Sequence, residues 1–142
     1  MKKIISFLII LMFVSISCSN EVEPNDITDE IKIIIDGELY NSAPNDTFSI
    51  KEIKITNDIL KIVIEYGGGC GDVEAKLIDA GVVMESNPVQ RNIRLSFKDH
   101  DFCKALIEKE YSFDIKSIQV IGDNRVFLNI KDWNNKRILY TY

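Results

Sequence analysis

The chain has 142 residues, of which 46% are hydrophobic and 27% charged, with a net charge of −5 at pH 7. That is one domain's worth of chain and enough for a single core. The acidic balance excludes nucleic acid as a partner: Lys51, Lys54, Lys61 and Lys76 are dispersed among acids, whereas phosphate binding rests on clustered cations.

The chain opens with Lys2 and Lys3, followed by Ile4 to Ile16, which is apolar apart from Ser6 and Ser15. This run is too short to span about 30 Å of hydrocarbon, which takes around 20 helical residues, but it suits the apolar region of a signal peptide. Ser15-Ile16-Ser17-Cys18 resembles a bacterial lipobox, with Ser15 where members most often carry Leu. The resemblance implies a signal peptide over 1–17 and a Cys18 that is acylated and becomes the new N-terminus. Two or more acyl chains give stable anchoring where one is marginal. The other reading is an ordinary secretory signal with a chance cysteine.

Residues 18–30 are polar and acidic with one proline, a composition that cannot order itself by burial and is expected to form a lipidated tether. Ser19 is not the Asp that retains lipoproteins at the inner membrane of some bacteria. Glu21 and Glu23 resemble an acidic export signal that others use, although a solvated linker would read the same way. The expected location is the outer membrane, on the periplasmic or the cell-surface face, with membrane contact through the lipid only. Loss of 1–17 removes two lysines and no acid, so 15 Lys+Arg face 22 Asp+Glu and the net charge falls to about −7.

Residues 31–142 read as one β-rich domain. Isoleucine supplies 24 of the 142 residues, and β-branched side chains favour pleated, half-buried surfaces. An early strand over Ile31 to Ile35 would turn at Asp36-Gly37. Phe48 to Thr56 alternates with a phase shift near Glu52, the mark of a bulge or of a late start to the strand, and Asn57-Asp58 forms a two-residue hairpin turn. Ile59 to Tyr66 is the cleanest strand, with Leu60, Ile62, Ile64 and Tyr66 on one face. Val73 to Leu77 alternates as a strand, the preferred reading, although Asp72 could instead cap a helix from Val73 to Ala80 ending at Gly81. Asn87-Pro88 marks a turn before the strand Ile93 to Phe97. A helical turn is expected over Cys103 to Glu108. Further strands are expected in part of Phe113 to Val120, over Arg125 to Ile130 and over Arg137 to Tyr142, with turns at Gly122-Asp123-Asn124 and Trp133-Asn134-Asn135. Short strands without a long helix predict a single antiparallel β-sandwich or half-open barrel.

With Cys18 lipidated, Cys70 and Cys103 have only each other, in a compartment where disulfides persist. Their bridge closes a loop of about 33 residues, which chain entropy values at about 3–4 kcal/mol. The remaining reading is two buried free thiols, or a reactive one.

Tyr66-Gly67-Gly68-Gly69-Cys70-Gly71, Phe102-Cys103-Lys104-Ala105-Leu106, Phe113-Asp114-Ile115 and Ile138-Leu139-Tyr140 together resemble a family of small uncharacterised Gram-negative lipoproteins. Its members carry a Gly-Gly-Cys strand end, a second cysteine after an Asp and a Phe-Asp-Leu-like segment. The resemblance covers roughly residues 48–142 and implies a β-rich, disulfide-stapled domain with no established activity. Members often place a histidine shortly after Gly-Gly-Cys. Here that position is Val73, so no metal or catalytic role is carried over.

The sequence offers no catalytic residues, no cofactor motif and no metal site. Gly67 to Asp72 fails G-x-G-x-x-G at its last glycine, and no Gly-Lys-Ser/Thr follows for a phosphate loop. His100 is the single histidine. A Cys–His dyad with Cys70 or Cys103 would require the disulfide to be absent, and Asp99-His100-Asp101 has the composition of a turn. No pair of acids is singled out for glycoside cleavage. Trp133, Tyr140 and Tyr142 form a possible binding surface, because exposed aromatics are large, rigid and amphipathic; alternatively they plug the end of the sandwich. The functional expectation is a non-catalytic outer-membrane binding or accessory module for protein or glycan, with an unrecognised cell-envelope hydrolase as the alternative.

Overall fold

The computed structural model describes residues 31–134 and 137–142; the expected signal peptide, Cys18 and the expected tether lie outside the described residues. Two sheets face each other across one core. The first has the strand order β1-β7-β4-β3, and the second β2-β5-β6-β8-β9. In chain order these are β1 (Ile31–Lys32), β2 (Ile34–Ile35), a helix α1 (Gly37–Ser42), β3 (Phe48–Thr56), β4 (Ile59–Gly68), β5 (Val73–Met84), β6 (Gln90–Asp99), β7 (Ala105–Asp114), a 3-10 turn (Lys116–Ile118), β8 (Arg125–Ile130) and β9 (Arg137–Thr141). The result is a mostly β sandwich, not a closed barrel. Its long ladders β3/β4, β4/β7 and β5/β6 are antiparallel, and β8/β9 is also. β6/β8 and the two short N-terminal pairings are parallel.

Isoleucine periodicity builds the core. Leu60, Ile62, Ile64 and Tyr66 of β4, with Phe113 of β7, meet Leu77, Ile93, Leu95, Phe97, Val126, Leu128 and Tyr140 of the second sheet. Each such side chain contributes about 1.5–3 kcal/mol when fully buried. Aromatic edges lock the two layers: Phe97 lies 5.0 Å from the Tyr66 ring centre and 5.4 Å from that of Phe48.

The expected bulge in β3 lies between Ile50 and Glu52, where the register against β4 shifts. It is needed because Phe48 and Ile50 occupy one phase and Ile53 and Ile55 the other; one extra residue turns all four toward the core. The Asn57-Asp58 hairpin forms as expected, with Asn57 at φ 54°. The ambiguous 73–80 stretch is strand, and it runs to Met84. Gly81, at φ 76°, sits in a second register shift between Asp79 and Val83 and does not end a helix.

Three expectations are corrected. Asp36-Gly37 is not a turn leading out of a strand: Asp36 caps α1, its Oδ1 accepting from Leu39 N at 2.9 Å. The early strand is divided, since β1 joins the first sheet and β2 the second, with Ile33 buried at the crossing. Of the expected helical turn over 103–108, residues 105–108 are strand, because β7 pairs with β4 along its whole length, from Ala105 opposite Gly68 to Asp114 opposite Ile59. Its alternation was obscured by Lys109, which shares the phase of Tyr111 and places its ammonium 5.2 Å from that ring centre. Of Phe113 to Val120, only Phe113 and Asp114 are strand.

Two arginines are buried at β6. Arg91 forms two 2.8 Å bonds to Asp79, which is 0% exposed and also accepts from Gly81 N at 2.7 Å. Arg94 reaches the last turn of α1, donating to Tyr40 O at 2.7 Å, Ala43 O at 2.9 Å and Pro44 O at 3.0 Å. It thereby satisfies carbonyls that a helix end leaves open and sits at the negative end of the helix dipole.

Candidate functional site

The end of the sandwich where β4 finishes and β7 begins carries the glycine loop. Cys70, two residues past β4, and Cys103, two residues before β7, form a disulfide with Cα atoms 5.8 Å apart, inside the separation that a bridge permits. The two cysteines are brought there by the pairing of Gly68 with Ala105.

Asp101 organises the loop. Its Oδ2 accepts from Gly69 N and, at 2.8 Å, from Cys70 N; its Oδ1 accepts from Cys103 N at 2.8 Å and lies 3.2 Å from Cys70 Sγ. Gly69 adopts φ 117°, a conformation other residues rarely take. A Cβ on Gly71 would come within 2.9 Å of Asp101 Cα, so the close approach of the two loops requires glycine there. Successive backbone N–H groups converge on one anion, the arrangement of an anion-binding nest. The glycine loop is thus a cradle, and it is filled by the chain's own carboxylate.

The backbone N–H of Cys103 contributes most to holding Asp101 well below the usual carboxylate range, at about 2. Desolvation is the next largest influence and opposes it, and the N–H groups of Cys70, Gly71 and Gly69 lower the value further. Such a group has no proton to give and its lone pairs are occupied. The neighbouring acids are similarly engaged. Asp99 Oδ1 accepts from Asp101 N at 2.7 Å, and Asp46 Oδ2 accepts from Asp99 N at 2.8 Å. Asp99 ends β6, and His100 and Asp101 follow in a connection without regular structure, with His100 Nε2 3.7 Å from Glu74 Oε1. Cys70, Asp101 and Cys103 place ligand-type atoms within 4.8 Å of one another, but the two sulfurs are bonded to each other and offer no thiolate to a metal.

Beside this loop opens a wide cleft of about 480 Å³, lined by Asp46, Thr47, Gly67, Asp99, Phe102 and Lys104 among others. Phe102 is 96% exposed and Leu106 73% exposed. Phe102 stands between two fixed points, Asp101 and the bridged Cys103. The sequence marks Asp101 only as part of a turn-like Asp99-His100-Asp101 stretch and Phe102 only as part of a motif, and neither as a site residue. The available signal was an Asp two residues before a disulfide cysteine, paired with a run of glycines before the other.

The aromatic residues of the C-terminal region lie elsewhere. Tyr140 is fully buried; its hydroxyl donates to Asp58 Oδ1 at 2.6 Å and accepts from Gln119 Nε2 at 2.8 Å. The Tyr142 ring lies tilted against it, 4.9 Å between centres, and its hydroxyl accepts from Val120 N at 2.7 Å. Trp133 packs against the same core. Tyr140 meets the Asp58 turn at the far end of β4 from the disulfide, so its ring closes the sandwich there.

The sequence matches no protein-family model and no curated protein. Solved structures do resemble the fold. A protein of unknown function, DUF1344, from Bacteroides vulgatus aligns at TM-score 0.54 and 14% identity, over 80% of this chain and 57% of that one. A NigD-like immunity protein from Bacteroides caccae aligns at TM-score 0.58 and 11% identity, over 78% of this chain and 58% of its own. A protein described as toxin-related, from Parabacteroides distasonis, aligns at TM-score 0.54 and 17% identity, over 80% and 59%. The chain thus spans under three fifths of each of these proteins. At such identities the likeness is one of fold.

Proposed function

We propose that this chain is a non-catalytic accessory module of the bacterial envelope, held at the outer membrane by lipid on Cys18, which binds a partner protein through its disulfide end. The observation that carries the binding reading is Phe102: a fully exposed aromatic ring on a loop tied down on both sides. Holding such a side chain in place before contact reduces the ordering cost of association, and aromatic anchors dominate interface energetics. The ring projects outward, which suits a pocket on a protein better than a flat sugar. The acids around it support a non-catalytic reading, since Asp46, Asp99 and Asp101 each accept a backbone N–H and so hold the loops together. The lipobox-like segment supports the anchor.

The test is in cells. A photo-crosslinking residue placed at Phe102 should join the protein to one discrete partner, while the same residue at Lys54, on the outer face of the first sheet, should not. Crosslinks at both positions alike, at neither, or to saccharide would contradict the docking assignment. In the same cells Cys18→Ala should move the protein out of the membrane fraction, and retention after a salt wash would contradict the anchor.

A further inference from the structure

Both bridged cysteines lie at the surface, where a disulfide is ordinarily open to thiol exchange. In that reaction a thiolate attacks one sulfur and forms a new S–S bond with it, while the other sulfur leaves as a thiolate. A second thiolate then resolves the mixed disulfide, so that both cysteines are reduced and the reagent departs as its own disulfide. Here a carboxylate is fixed against the bridge. Asp101 Oδ1 is 3.2 Å from Cys70 Sγ and is held by the N–H of Cys103, while Oδ2 is held by the N–H groups of Cys70 and Gly69.

That charge opposes exchange by either route. Attack at Cys70 brings an anion toward an anion. Attack at Cys103 expels a thiolate from Cys70, which forms beside the same carboxylate. We propose that Asp101 is an electrostatic guard of the Cys70–Cys103 bridge, keeping it closed against small thiols so that the loop presenting Phe102 stays ordered. The carboxylate remains ionised down to about pH 2, so the guard is in place at every pH where thiolates are present.

The experiment compares two thiols of opposite charge, mercaptoethanesulfonate and cysteamine, acting on the purified, oxidised full-length protein. Alkylation and peptide mass spectrometry follow the opening of the Cys70–Cys103 bridge separately from Cys18. The wild type should react more slowly with the anionic thiol, relative to each reagent's rate on a small-molecule disulfide. In Asp101→Asn that preference should fall by about fivefold or more, the factor corresponding to two unit charges about 4 Å apart in water. Lys104 acts in the opposite sense, but it is common to both proteins and cancels from the comparison. An unchanged ratio would overturn the proposal, even if both rates rose, because equal acceleration reports a loosened loop and not a lost charge. If Asp101→Asn does not fold, the wild type still decides: its preference should shrink between about 0.02 M and 1 M salt, where the Debye length falls from about 20 Å to 3 Å. A preference insensitive to salt would overturn the guard.

Discussion

Asp101 lies in a stretch without regular secondary structure, yet three backbone N–H groups from two loops are bonded to its side chain. Its carboxyl titrates near 2 in the folded protein, against 3.8 for an ordinary Asp. A depressed value means that ionisation is favoured by folding. The stability it contributes is therefore complete above about pH 3.8 and is lost as the pH falls toward 2. Asp101→Asn should thus melt below the wild type at pH 7, and the gap in thermal midpoint should close between pH 3.8 and 2. Melting curves across that range check it; a gap independent of pH would contradict the assigned role. The residue was hard to read from sequence because Asp99-His100-Asp101 has ordinary turn composition. What sets Asp101 apart is a glycine loop more than thirty positions earlier, a non-local relation that periodicity does not report.

Among the elements, β5 is held by the least forgiving contact. Asp79 is on the inner face of the sheet at the register shift, and its charge is answered by Arg91 and the N–H of Gly81. Arg91→Met should leave a buried carboxylate without its cation and cost about 3–5 kcal/mol in denaturant unfolding. Pairing it with Asp79→Leu should restore much of that loss, since a buried ion pair replaced whole by apolar groups is often neutral. A double variant as unstable as the single one would contradict this account. Strands with clean alternation, β3, β4, β8 and β9, were legible in the sequence almost to the residue, including the β3 bulge. β7 was not, because Lys109 occupies an inward phase and Leu106 an outward one. α1 was missed because one cap and six residues carry too little periodicity to separate a helical turn from a loop.

For the molecule as a whole, the β class, the single core and the Cys70–Cys103 staple follow from isoleucine content, chain length and cysteine counting. The division of the N-terminal strand between two sheets and the parallel β6/β8 pair do not, since both depend on which strand ends meet in space. Aromatic character is visible in a sequence and burial is not, so Trp133, Tyr140 and Tyr142 read either as a surface or as a plug; in the fold Tyr140 is fully buried and the other two half-buried. The central claim is that the disulfide end is a preformed, rigid contact surface, its glycine cradle already filled by Asp101. Amide hydrogen exchange on the oxidised protein tests this most directly. The amides of Gly69, Cys70 and Cys103 should exchange far more slowly than an unstructured chain despite their place in surface loops, and Asp101→Ala should release all three together. Exchange of those amides at unstructured-chain rates in the wild type would contradict it.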